Sequence, residues 1–252
     1  MPMRIIVNAD DLGMSDSVNQ AIFEGLRRGV ITSATLLANG PAVQSAVREL
    51  QRFPQYSFGV HLNLTEFEPL WGGSRADLNA ILDKKGRFNG NSIREVRIGI
   101  PMRGAIFREW CCQIESLMRL GVEPSHFDAH HHVHTIPRLL PVMAALRRRY
   151  KINKVRISRN LYDASERPGR LLLEKKRLFN MALRVIGFRT TRIFTDLSTY
   201  IKLCAANQPE SETAELMAHP DASQRTDESV LLGSDWTQKL SYQTALINYK
   251  SL

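Results

Sequence analysis

Short apolar runs alternate with amphipathic stretches from the first residues onward, and this alternation restricts the fold more than any other feature. Residues 4–9 are apolar and β-branched and read as a buried strand. Ser15 or Asp16 can cap a helix whose apolar side is Val18, Ala21, Ile22 and Leu26, with Gly29 as its stop. The order then recurs, with a strand over 31–38, a helix over 42–52 and a strand over 57–64. A helix over 102–120 places Ile106, Phe107, Trp110, Ile114, Leu117 and Met118 on its buried side. A short strand at 126–129, a helix over 137–149, a strand over 153–158 and a basic amphipathic helix over 171–186 follow. Strands at 192–197 and 213–218 have a helix between them, and the tail from Asp227 carries Trp236 and Leu240 at helical spacing before a short apolar segment. Such β-then-α order requires crossover connections and therefore parallel strands. No repeat, linker or composition break divides the chain. Its 252 residues, 43% apolar, suit one α/β domain over 1–252 with a mainly parallel sheet, open or closed into a barrel.

Residues 66–101 are the exception, rich in Gly, Asn and Arg with periodicity only near 76–82. A loop of this length inside a compact domain carries a lid or a specificity element.

The formal net charge is +9, and part of the excess is arginine on helix faces such as Arg147, Arg148 and Arg149. A solvated basic surface accounts for it, and attraction of an anionic partner is the alternative. No aromatic residues interleave with the basic clusters, so nucleic acid is not expected as a partner. Cys111, Cys112 and Cys204 form no C-x-x-C pair, which points to a reducing cytoplasm. The first apolar run is too short for a signal peptide, and none is long enough to span a bilayer.

The polar residues gather at strand ends. Asp10 and Asp11 end the first, His61 and Asn63 lie toward the end of the third, and Asp128, His130 and His132 end the fourth. Arg156 lies in the fifth predicted strand and His219 ends the last. Period-two alternation puts His61, Asn63 and Thr65 on one face of their strand. Five of the seven histidines fall between His126 and His134. In parallel α/β folds the C-terminal edge of the sheet is where sites are built. Asp, His and His from three strand ends make a metal site with open positions, which lowers the pKa of bound water to about 7 and polarises a carbonyl. A neighbouring carboxylate can take the water's proton, and a second histidine opposite can protonate a leaving group. The set suits hydrolysis of an amide or ester.

Several motifs resemble the YdjC-like carbohydrate deacetylases. They are Ile6-Val7-Asn8-Ala9-Asp10-Asp11-Leu12-Gly13-Met14-Ser15, Gly29-Val30-Ile31-Thr32-Ser33-Ala34-Thr35-Leu36, Gly59-Val60-His61-Leu62-Asn63-Leu64-Thr65 and Phe127-Asp128-Ala129-His130-His131-His132-Val133-His134. Arg156 and Glu215-Leu216-Met217-Ala218-His219-Pro220 match two further motifs, whereas 66–101 and 160–176 contribute little. The resemblance implies a distorted (β/α) barrel and one divalent ion, of the magnesium or zinc class, on Asp11, His61 and His130. It implies Asp10 as general base, His219 as acid and Arg156 beside Asp10. Asn63, Asp128, His132 and His134 are left as residues behind the ligands or as substrate contacts, with His132 an alternative ligand. Asp221 stands where glycine is expected after His219-Pro220. The expected activity is deacetylation of an N-acetylated amino sugar or oligosaccharide, by a chain that is compatible with a homodimer. A metallohydrolase for a cyclic amide or phosphoester, and a non-enzymatic basic protein binding nucleic acid or another anion, are the competing classes.

Overall fold

The computed structural model describes residues 1–73, 76–90, 92–224 and 227–252. Among these, one sheet holds β1 (Met3–Leu12), β2 (Ser33–Leu36), β3 (Ser57–Leu62), β4 (Phe127–Ala129), β5 (Ile193–Asp196), β6 (Thr213–Ala218) and β7 (Thr244–Leu246). The order is β4-β3-β2-β1-β6-β5, and every pairing is parallel. β7 pairs with Met3–Ile5 of β1, while β2 pairs from Asn8 onward, so two strands share one edge of β1. The crossovers run through α1 (Asp16–Arg27), α2 (Val43–Leu50), α3 (Ser92–Glu95), α4 (Ile100–Arg119), α5 (Leu140–Tyr150), α6 (Arg170–Val185), α7 (Leu197–Cys204) and α8 (Asp227–Gly233). Ser15 caps α1 by accepting from the Val18 amide. Within the loop over 66–101, a 3-10 turn spans Ala76–Ile81, and residues 74, 75 and 91 lie outside the described residues.

The sheet curls into a half-barrel, and the gap between its edge strands is crossed by residues 153–160. Phe127 N donates to Lys154 O and Arg156 N to Phe127 O, while on the other side Val155 N donates to Arg189 O and Asn160 N to Phe194 O. The expected strand over 153–158 is thus reduced to isolated bridges. The segment touches both neighbours at different residues and keeps register with neither, so no ladder propagates. Met118 also departs from expectation, being 48% exposed. It lies about 100° round α4 from Leu117, which is buried.

Two faces of β1 do different work. Met3, Ile5, Val7 and Ala9 enter the main apolar core under the helices. On the other face Ile6 packs with Tyr249 and Leu252, so the C-terminal residues plug the bottom of the half-barrel. Above this plug the interior is polar and buried, with Asn8, Asp10, Thr35, His61, Asp128, Arg156 and Glu215. The His126 ring lies 3.6 Å from the Tyr249 ring, nearly parallel to it. A Cβ on Gly59 would come within 2.5 to 2.7 Å of that ring. Gly59→Ala is therefore expected to cost about 1–3 kcal/mol through overpacking. An unchanged urea midpoint would show that the ring can yield.

Candidate active site

Consecutive residues in a strand point to opposite faces, yet both Asp10 and Asp11 reach the polar interior. The backbone breaks its own alternation to achieve this. Pairing with β2 slips between Ala9 and Leu12, and Asp11 adopts φ 67°. A left-handed conformation costs a non-glycine residue roughly 1–2 kcal/mol, and such strain is retained where geometry demands it. His131 and His132 are likewise left-handed, at φ 50° and 55°, in the turn after β4.

Three ligand-type atoms converge. Asp11 Oδ1 lies 2.8 Å from His130 Nδ1 and 3.1 Å from His61 Nε2. Asp11 Oδ1 is buried, and neither contact is aligned as a hydrogen bond. Donors held 2.0–2.2 Å from a common ion lie about 3 Å from one another, so the set fits a small divalent cation. The far nitrogen of each histidine faces a carboxylate. Asp128 Oδ1 is 2.7 Å from His61 Nδ1, and Glu66 Oε1 is 3.5 Å from His130 Nε2. Such partners fix the tautomer and aim the other nitrogen at a metal. Burial alone would push His61 down, but the carboxylates of Asp128, Asp11 and Asp10 push it up to about 10. Burial also raises Asp11, while His130 and His61 outweigh it and hold the carboxyl well below the usual range.

Arg156 is wholly buried and organises the other side of the site. It donates through Nη1 and Nη2 to both oxygens of Asp10, each at 2.6 Å, and through Nε to Glu215 at 2.7 Å. Nη1 is also 3.0 Å from Asp128 Oδ2, which accepts from Thr35 Oγ1 at 2.9 Å. One guanidinium thus serves three carboxylates. Burial pushes Glu215 up to about 7 against the opposing effects of Arg156 and of the Tyr249 hydroxyl, which donates to it.

His219 stands at the rim, its side chain 48% exposed, with Nε2 3.8 Å from Asp10 Oδ2. Its backbone amide donates to Glu228 of α8 at 2.8 Å. Asp221 needs no glycine-like conformation, because its carboxylate accepts from the Ser223 amide and hydroxyl, both at 2.8 Å, and closes the turn itself. His132 does not join the ligand cluster and faces Phe194 edge-on at 5.5 Å. His134 is buried, and its Nε2 lies 3.1 Å from the Arg156 carbonyl, which supports the backbone of that arginine. Asn63 is buried and shapes the turn after β3, accepting from the amides of Thr65 and Glu66.

Glu66, Tyr249 and Glu228 lie outside the matching motifs, and Glu215 lies in one without being given a role there. Strand parity would have found Glu215, since it shares a face with Met217 and His219. No local signal places Glu66 or Tyr249, whose contacts span 64 and 34 residues.

Burial holds His126 down to about 3, against an unperturbed value of 6.5. Below pH 6.5 the unfolded chain therefore takes up a proton that the folded chain does not. Stability falls as pH drops from 6.5 toward 3, by up to about 1.4 kcal/mol per pH unit. His126→Phe removes this group, so its urea midpoint should fall less between pH 7 and pH 5 than that of the parent. Parallel declines would show that other groups carry the effect.

Comparisons with known proteins bear on the family and the fold. The chain is 42% identical over 152 residues to a carbohydrate deacetylase of Geobacillus stearothermophilus, a match covering 60% of this chain and 59% of that protein. The match thus spans about three fifths of the relative's own length. It is 31% identical over 252 residues to a carbohydrate deacetylase of Brevibacillus brevis, covering 99% of this chain and 93% of the other. A crystal structure from Enterococcus faecalis V583, of a protein provisionally named for cellobiose-phosphate cleavage, superposes with a TM-score of 0.78 at 27% identity, covering 100% and 99% of the two chains. The family model described as YdjC-like protein matches residues 4–244, and with the full-length Brevibacillus match it shows that the chain belongs to the YdjC-like family.

Proposed function

We propose that this chain is a metal-dependent carbohydrate deacetylase that removes the acetyl group from an N-acetylated amino sugar or oligosaccharide. The observation that carries the reading is the convergence of Asp11, His61 and His130 beside an Asp10 fixed by Arg156, in a family whose named relatives are carbohydrate deacetylases. One divalent ion held by Asp11 Oδ1, His61 Nε2 and His130 Nδ1 would supply Lewis acidity to polarise the acetamide carbonyl and acidify water to a pKa of about 7.

The chain's own groups do the remaining work. Asp10 accepts the proton of the attacking water, and it is held in place by Arg156 through both oxygens and by Asn8 through Oδ1. His219, across the rim from Asp10, donates a proton to the departing nitrogen, which is too basic to leave as an anion. Asp128 orients His61, and Glu66 approaches the back of His130. The loop after Glu66 is tied to α4, with the amides of Leu70 and Trp71 donating to Glu109. Free thiols at Cys111, Cys112 and Cys204 favour a reducing, cytoplasmic setting.

The experiment is acetate release from N-acetylglucosamine oligomers and other acetylated glycans, with and without chelator, alongside metal analysis of the purified protein. Turnover should vanish with chelator and return with a divalent ion, and Asp11→Ala should lose both metal and activity. Chelator-insensitive acetate release would sink the metal assignment, and turnover confined to a phosphoester or cyclic amide would sink the substrate assignment.

A further inference from the structure

The outer face of α6 carries two parallel rows, of which, among the described residues, only Arg184 is engaged elsewhere, donating to Thr190 Oγ1 and the Thr191 carbonyl. Leu171, Leu178 and Val185 recur every seven residues and are 72%, 61% and 86% exposed, with Met181 beside them. Arg170, Arg177 and Arg184 form the adjoining row at the same spacing. The inward face is satisfied by Phe179, Asn180 and Leu183, so the outer leucines are not part of the core. The helix holds five cations and a single carboxylate, Glu174. Next to it lies a cavity of about 710 Å3, whose lining includes Arg159, Arg167, Lys176, Arg177, Arg184 and Arg192. Part of the +9 net charge is thereby concentrated beside an exposed apolar stripe.

We propose that α6 docks this protein on an anionic lipid surface, with Leu171, Leu178 and Val185 at the headgroup boundary and the exposed Arg170 and Arg177 on lipid phosphates. Such a surface removes the apolar row from water and neutralises the basic row at once. A second copy of the chain would cover the leucines but bring two arginine rows together with only Glu174 to offset each. Nucleic acid would neutralise the arginines and leave the leucines wet. No helix of the described residues is long and apolar enough to cross a membrane, so the contact is peripheral. The inference is independent of the deacetylase reading.

The test is flotation of the full-length protein with vesicles of phosphatidylcholine, alone or mixed with phosphatidylglycerol. Binding should require phosphatidylglycerol and weaken with salt. Arg170→Gln with Arg177→Gln should lower partitioning about 25-fold, at about fivefold per charge. Leu178→Gln with Val185→Gln should lower it by about tenfold or more, because each loses buried apolar area. Both pairs are on the surface, so far-UV spectra and acetate release should match the parent. No flotation with the mixed vesicles would overturn the proposal, as would flotation indifferent to both pairs. Light scattering that shows a dimer split by the leucine and valine changes would assign the face to a second copy. Oligonucleotide binding lost only with the arginine changes would assign it to nucleic acid.

Discussion

Asp10→Asn is expected to lower turnover by about a thousandfold while leaving bound metal in place, as is usual for loss of a general base. The substitution keeps an oxygen for Arg156 but removes the group that can carry the water's proton. Metal binding should survive because the converging ligand atoms belong to Asp11, His61 and His130. Acetate release and metal stoichiometry, measured on the same preparation, separate the two effects. Retention of more than a tenth of parental turnover would rule Asp10 out as the base. Loss of metal together with activity would move Asp10 into the ligand set.

Arg156→Met should act first on stability. Asp10, Asp128 and Glu215 surround this guanidinium, and all are buried. Removing one partner of a buried charge cluster costs about 3–5 kcal/mol, because the remaining charges are left uncompensated. For a chain of this size that corresponds to a fall of roughly 10 °C in melting temperature. Arg156→Lys retains a charge but lacks the planar fork that meets Asp10 through two nitrogens and Glu215 through a third. It should recover part of the stability and little of the turnover. A melting temperature within about 2 °C of the parent for the methionine variant would mean that the carboxylates take up protons at little cost.

Much of this site is legible in the sequence, for a simple reason. Parallel strands deliver their C-terminal ends to one edge, so Asp10, His61, Asp128, His130 and His219 were bound to meet wherever the strands paired in that order. What escaped was decided by tertiary contact. Residues 153–158 have the composition of a strand, yet their two neighbours leave room only for isolated bridges. The short segment 244–246 gave no strand signal of its own and became one by adding to a free stretch of β1. The outward leucines of α6 and the exposure of Met118 depend on which helix face found a partner. Local periodicity does not report that choice. Tyr249 and Glu66 are joined to the site by contacts across long stretches of chain, which spacing along one sequence cannot reveal.

The kink at Asp11 has a consequence for how the molecule tolerates motion. Asp10 and Asp11 are joined by one rigid peptide unit, so the proposed base and the proposed metal ligand are tethered covalently rather than by docking of separate parts. Thermal breathing of the half-barrel can shift the histidines without separating that pair. The strained torsion thus trades a little folding free energy for a separation of two carboxylates that is insulated from the rest of the architecture.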